Sequence, residues 1–201
     1  MMMSSIACDA SDATPESGPD KALLRRALLA ARQALDGTMR REWDAELGRR
    51  VIAWVAQWRK ANPNGVLGVY WPIRGEPDLR PAYATLSASG LQLALPVVVG
   101  ADMALRFVAW TPGEIMQKDS FGVSIPTSDT AVAPTVLLIP CVGFNQHRIR
   151  LGYGGGFYDR TLAAEPRPQT IGIAYSCASA EFDGAAHDVA LDTIITEAVN
   201  L

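Results

Sequence analysis

Six short apolar runs constrain the fold of this chain most: Val66 to Tyr70, Leu91 to Leu95, Leu105 to Trp110, Val136 to Ile139, Thr170 to Ala174 and Thr193 to Ile195. Gly, Pro or polar residues bound each run, and several do not alternate apolar with polar, as expected of strands covered on both faces. Helical periodicity supplies the cover. Lys21 to Leu35 reads as a helix, with Asp20 as N-cap and Leu24, Leu28, Ala31 and Leu35 as its apolar stripe. Arg40 to Lys60 reads as a second, because Trp43, Leu47, Val51, Trp54, Val55 and Trp58 recur at three- and four-residue spacing before Asn62-Pro63-Asn64-Gly65 stops it. Asp78 to Ser89, ended by Gly90, lies between the first two runs, and Phe157 to Ala164 precedes the fifth. Strands separated by helices predict one α/β domain with a mostly parallel central sheet flanked by helices. Ligands on such sheets bind beyond the strand ends.

The first residues differ in texture. Met1 to Asp20 is rich in Ser, Ala, Asp and Pro and carries no Lys or Arg. It has neither the basic start and apolar centre of a secretion signal nor the Arg-rich character of a mitochondrial presequence. The reading is a disordered tail over 1–20, a domain over 21–201, and the cytoplasm as compartment. No apolar run is long enough to span a bilayer as a helix. Cys8, Cys141 and Cys177 form no CxxC pair, and with only His147 and His187 beside them neither a disulfide framework nor a zinc site is expected. The net charge of −3 does not point to nucleic acid. Its distribution is uneven: Lys21 to Lys60 holds ten of the eighteen basic residues against four acids. That pattern fits a solvated helix face or a basic element beside an anionic ligand.

The densest chemistry lies in Arg148-Ile149-Arg150-Leu151-Gly152-Tyr153-Gly154-Gly155-Gly156-Phe157-Tyr158-Asp159-Arg160. Four glycines within five positions let the backbone approach a ligand and turn N–H groups toward it, and a helix start beyond them favours an anion. Arg148, Arg150 and Arg160 add positive charge, and Asp159 adds a hard oxygen suited to Mg²⁺ on phosphate. No Gly-Lys-Ser/Thr follows, and the spacing Gly152-x-Gly154-x-Gly156 is not that of a dinucleotide fingerprint. Lys21 and Arg25 share a helix face in a first turn, where cations cost roughly 0.3–1 kcal/mol each against the macrodipole unless an anion sits near. Exposed charges on an amphipathic helix are the alternative. In Trp71-Pro72-Ile73-Arg74-Gly75-Glu76-Pro77-Asp78, an aromatic and a carboxylate can recognise a flat heterocycle with N–H donors. A Pro-rich turn with Asp78 as helix cap is the alternative there.

The order Lys21-x-x-Leu24-Arg25, Pro72…Glu76-x-Asp78, Met103…Phe107…Trp110, Phe121-Gly122-Val123, Arg150 to Arg160 and Asp188…Asp192…Thr196-Glu197 resembles the 5-formyltetrahydrofolate cyclo-ligases, also called methenyltetrahydrofolate synthetases. The resemblance implies a fold like the sugar-phosphate isomerase and CoA-transferase group. It also implies ATP- and Mg²⁺-dependent closure of 5-formyltetrahydrofolate to 5,10-methenyltetrahydrofolate through a phosphorylated formyl intermediate. The expected partners are ATP and 5-formyltetrahydrofolate, without nucleic acid or membrane, for a monomer or weak homodimer. It places ATP on Lys21, Arg25 and the segment Arg150, Leu151, Gly152, Tyr153, Gly154, Gly155, Gly156, Phe157 and Tyr158. It places Mg²⁺ on Asp159 and Asp188, and folate on Trp71 and Glu76. Trp110 is a folate wall or a strand-end core residue. Arg150 and Tyr158 stand at the reacting atoms, and no covalent nucleophile is required of Cys141. Three positions depart from the family: Gly155 where relatives often carry Lys, Ile125 where a carboxylate is frequent, and Ala178 or a neighbour where Gln is common. Arg148 or His147 is the expected substitute for the lost lysine. A non-catalytic folate- or nucleotide-binding relative, and a kinase of another small metabolite, are the readings from other classes. ATP consumption with and without 5-formyltetrahydrofolate separates them.

Overall fold

The computed structural model describes residues 20–184 and 188–199. The tail over residues 1–19, with Cys8, and His187 lie outside the described residues. Two helices come first: α1 (Lys21–Gln33) and α2 (Gly37–Ala61). Asp20 caps α1 by accepting from the Ala22 N–H at 2.8 Å. α1 ends two residues before the expected Leu35, because Asp36 takes the N–H groups of Thr38 and Met39 (2.8 and 3.2 Å) and starts α2 earlier than expected. The expected apolar spacing in α2 is its buried face, with Leu47, Val51, Val55 and Trp58 all inside.

The main sheet contains β1 (Val66–Gly68), β2 (Gln92–Val97), β3 (Arg106–Trp110), β6 (Val136–Pro140), β9 (Gln169–Ile173) and β10 (Thr193–Ile195). Its order is β10-β9-β6-β1-β2-β3, parallel throughout except for antiparallel β3 at one edge. The six runs read from sequence are these six strands, with ends shifted by one or two residues. Two hairpins carried no comparable signal: β4 (Met116–Lys118) with β5 (Ser124–Pro126), and β7 (Gly143–Phe144) with β8 (Arg150–Leu151). Their strands are two or three residues long, too short for a period to show.

Burial on both faces explains the unbroken apolar runs. Val136 and Leu138 pack into a core with α2 and with α3 (Arg80–Ala88). Leu137 and Ile139 of the same strand face a second core closed by Leu162 of α4 (Phe157–Leu162). Gly68 sits where the second face is tightest: a Cβ there would lie 2.3 Å from Leu137 Cδ2 and 3.2 Å from Phe107 Cε1. Gly68→Ala should therefore cost about 1–3 kcal/mol, read as a lowered urea midpoint with unchanged m-value.

The connections position the site. From β1 the chain moves outward through β2 to β3, then returns after the β4–β5 hairpin to add β6 on the other flank of β1. The carboxyl ends of β1 and β6 thus form the point where strand order reverses. α1 reaches across this point. Its Arg32 donates to the carbonyls of Arg74, beyond β1, at 3.1 Å and of Cys141, after β6, at 3.4 Å. Among the described residues no helix is long and apolar enough to cross a membrane.

Candidate active site

A cavity of about 960 Å³ opens at these strand ends. Tyr70 and Trp71 after β1, Pro96 and Val98 at the end of β2, Pro140 of β6, the 119–124 loop and the glycine-rich loop wall it. Lys21 and Arg25 enter from α1, and Asp159 and Arg160 from α4. The volume suits a small-molecule site, and its placement at the reversal of strand order is where open α/β sheets bind ligands.

The glycine-rich loop is held from both sides by arginines. Arg25 Nε donates to the Gly152 carbonyl at 2.7 Å, and Arg160 Nη2 donates to the Gly155 carbonyl at 2.8 Å. These bonds fix the peptide planes of the loop. Gly154 and Gly156 adopt φ values of 92° and 66°, which only glycine takes without strain. α4 has only six residues, so a helix field adds little here, and the cations that line this end are Lys21, Arg25, Arg150 and Arg160.

Two acidic residues that line the cavity, Asp159 and Asp188, pair with cations. Arg150, with a side chain 9% exposed, contacts Asp159 at 3.0 Å and lies over the Tyr158 ring at 5.3 Å. Lys21 contacts Asp188 at 2.7 Å. Asp159 and Asp188 both line the cavity, and among the described residues no three His, Cys, Asp or Glu side chains cluster as a metal cage. Two carboxylates beside an arginine-braced glycine loop fit Mg²⁺, which commonly takes one or two carboxylates together with phosphate oxygens and water.

At the other end stands Glu76, 4% exposed. Its Oε2 accepts from the Ile73 N–H at 2.9 Å, and its Oε1 accepts from the Tyr153 hydroxyl at 2.7 Å. Burial raises its pKa above the ordinary value, while these two hydrogen bonds and the fields of Arg32 and Arg74 pull the other way. Trp71 is fixed beside it. Arg80 lies over its ring at 5.2 Å, with Asp78 gripping the arginine at 2.8 and 2.6 Å, and Trp110 packs edge-on at 6.1 Å. Asp78 therefore holds Arg80 and accepts from its backbone N–H at 3.1 Å, but the N-cap of α3 is Leu79, with no side-chain cap hydrogen bond, so Asp78 orders the turn without being the expected cap.

Thus Lys21, Arg25, Trp71, Glu76, Asp159, Asp188 and the segment Arg150 to Tyr158 all line one cavity. Trp110 does not. It is 6% exposed, in the core behind Trp71 and Tyr83, and the core reading of that residue holds. The expected substitutes for a loop lysine are elsewhere too. Arg148 donates to the Leu191 carbonyl at 3.0 Å, and His147 lies in a separate depression with Asn145 and Phe182. The cation beside Gly155 is Arg160, stacked on Phe157 at 5.2 Å, and the Phe157 ring fills the space a Cβ at Gly155 would enter. Ala178 is buried in the second core rather than at the cavity, while Ile125 sits in β5 next to the cavity-lining Ser124. Cys141 is inert by placement: burial pushes its thiol up to about 12.

Two further arginines, Arg32 and Arg74, adjoin the site without being among the residues that the sequence marks for it. Arg32 had a signal, since Lys21, Arg25, Leu28 and Arg32 follow one helix face at four-, three- and four-residue steps. Arg74 sits at the mouth with φ 49°, over the Tyr153 ring at 5.3 Å.

Comparison with known proteins agrees with this placement. A family model described as the 5-formyltetrahydrofolate cyclo-ligase family matches residues 17–197. A 5-formyltetrahydrofolate cyclo-ligase of Mycoplasma pneumoniae is 29% identical over 185 residues, covering 89% of this chain and 99% of that protein. The Mycolicibacterium smegmatis protein of the same name is 29% identical over 187 residues, covering 88% and 93%. Among solved structures, a 5,10-methenyltetrahydrofolate synthetase from Mycoplasma pneumoniae superposes with a TM-score of 0.73 at 26% identity, covering 89% of this chain and 99% of the other. One from Aquifex aeolicus gives 0.73 at 27%, covering 90% and 91%. With a matched family model spanning nearly all of the described domain, the chain belongs to the 5-formyltetrahydrofolate cyclo-ligase family.

Proposed function

We propose that this cavity binds ATP and 5-formyltetrahydrofolate together and closes the folate to 5,10-methenyltetrahydrofolate, releasing ADP and phosphate. The observation that carries the reading is one cavity with two unlike ends: an arginine-braced glycine loop at one, and a buried carboxylate beside a tryptophan at the other. The first suits a triphosphate, and the second suits a pterin that presents N–H donors and a flat face.

The chemistry assigns roles to these groups. An amide-like formyl oxygen leaves poorly as such. Its attack on the γ-phosphorus breaks the bond to ADP and makes that oxygen a phosphate ester. N10 then attacks the activated carbon, the C–O bond breaks, phosphate departs with its electron pair, and N10 loses its proton. Such transfer needs positioning and charge neutralisation more than covalent help. Lys21, Arg25 and the loop 152–156 would hold the phosphates, and Arg150 would face the charge that develops during transfer. Asp159 and Asp188 would hold Mg²⁺, which supplies charge neutralisation on the phosphates when bound. Tyr158 would stand at the formyl group. Burial raises its phenol above the ordinary value, so it meets substrate as a neutral hydroxyl.

ADP release measured with and without 5-formyltetrahydrofolate tests the reading. Release that depends on the folate supports it. Folate-independent release points to a kinase of another metabolite, and absence of release from folded, ATP-binding protein points to a binding relative. In the same assay Arg160→Ala should raise the ATP KM roughly tenfold, the order expected for a lost charge-assisted hydrogen bond, and an unchanged KM would remove Arg160 from the phosphate side.

A further inference from the structure

A buried cation on α1 connects the two ends of the cavity. Arg32 is 4% exposed, and its Nη2 donates to the Tyr153 hydroxyl at 2.6 Å. A guanidinium can only donate, so the Tyr153 oxygen accepts from it. The phenolic proton is then left for Glu76 Oε1, 2.7 Å away. The direction of the chain is therefore set: Arg32 to Tyr153 to Glu76. Arg32 also holds the Arg74 carbonyl at 3.1 Å, fixing the turn that presents Glu76, and its guanidinium lies 5.8 Å from the Tyr153 ring centre.

We propose that Arg32 is a positioning residue for substrate recognition: acting through Tyr153, it holds the Glu76 carboxylate ionised and oriented toward the N–H groups of the bound heterocycle. This rests on the folate reading of the cavity given above. A carboxylate this buried needs a charge or directed donors to remain an acceptor. Among the described residues, the titratable groups facing Glu76 are Arg32 from α1, Arg74 on its own loop, Tyr153 from the glycine loop, Tyr158 from α4, Tyr83 from α3, and Tyr70 and Cys141 at the strand ends. Burial pushes the phenols and the thiol up, which leaves the two arginines as the charged groups at neutral pH. Arg74 is exposed at the mouth, so the buried counter-charge is Arg32. The chain also gives Tyr153 a role its place in the glycine loop conceals: its hydroxyl serves the folate end, while its backbone belongs to the phosphate end.

The test compares Arg32→Met, Arg32→Lys, Tyr153→Phe and the double variant Arg32→Met/Tyr153→Phe in the full chain. KM values for 5-formyltetrahydrofolate and for ATP are measured separately. Arg32→Met and Tyr153→Phe should each raise the folate KM about tenfold or more while the ATP KM stays within about twofold, as expected for a hydrogen bond to a charged group at one end of the site. The double variant should be no worse than the poorer single one, because both break the same chain. Arg32→Lys should recover part of the loss, since an ammonium can still donate to the phenol. Parallel rises in both KM values, additive losses, or an unchanged folate KM would overturn the proposal. If Arg32→Met fails to fold, Tyr153→Phe, at a partly exposed loop position, carries the same comparison. A second readout needs no substrate: the ¹³C carboxyl resonance of Glu76, identified by its loss in Glu76→Gln, is titrated in each variant. Its midpoint should move upward in Arg32→Met and Tyr153→Phe, and an unmoved midpoint overturns the positioning role. An upward shift in a protein that does not turn over 5-formyltetrahydrofolate would uphold that role and refute the substrate.

Discussion

Asp159→Asn is expected to lower turnover by about 10²–10³-fold while leaving the fold intact, because two things fail together at the phosphate end. The variant loses a hard oxygen proposed for Mg²⁺, and it leaves Arg150, whose side chain is 9% exposed, without the carboxylate 3.0 Å away. The two effects separate in a Mg²⁺ titration at saturating ATP and folate. Loss of the metal ligand raises the Mg²⁺ concentration for half-maximal rate, whereas misplacement of Arg150 alone lowers kcat at every Mg²⁺ concentration. The account expects both changes. A variant with a wild-type circular dichroism melt, wild-type kcat and wild-type Mg²⁺ response would remove Asp159 from the site.

The second large effect concerns Glu76. Glu76→Gln should raise the KM for 5-formyltetrahydrofolate by about ten- to a hundredfold and leave ATP binding nearly unchanged, since a charged acceptor is replaced by an amide that offers one acceptor and one donor. Its pH dependence follows from burial. The pKa of Glu76 is raised, so in the wild type the carboxylate takes up its proton at a higher pH than an ordinary glutamate. The acid limb of folate kcat/KM should be displaced upward accordingly, and Glu76→Gln should flatten it. Stability moves in the opposite sense. With the folded-state pKa above the unfolded one, the ionised form carries a burial cost that is absent below the unfolded value and complete above the folded value. The Tm of Glu76→Gln relative to wild type should therefore improve as pH rises through that window. An unchanged folate KM would return Glu76 to the turn that Asp78 and Arg80 organise.

Both experiments act on residues that the sequence marked, and the physical reason is local. Non-alternating runs such as Val136 to Ile139 signal strands covered on two faces, and the structure divides those side chains between two cores. The glycine loop shows in sequence because backbone at φ 92° and 66° demands glycine, and arginines around it have little reason to cluster without an anion. What depends on long-range packing stays hidden. Trp110 could be placed at a strand end, but whether that end faces the cavity or lies behind Trp71 depends on how β3 sits against β1 and β2. The cation beside Gly155 is five residues on, in α4, where a helical turn brings Arg160 back over the loop. Arg148, closer in chain distance to the strand, is turned away to Leu191. Arg32 was visible as a continuation of the Lys21–Arg25 face, yet its partners are 121 residues away at Tyr153 and 42 residues away at Arg74. Pairings that distant carry no local period.

The most direct measurement is the near-ultraviolet absorbance of purified protein with 5-formyltetrahydrofolate, Mg²⁺ and ATP, beside a control without ATP. The account predicts growth of the methenyl-folate band with ATP and a flat trace in the control. Folded protein that binds ATP and 5-formyltetrahydrofolate, yet produces no band, would contradict it.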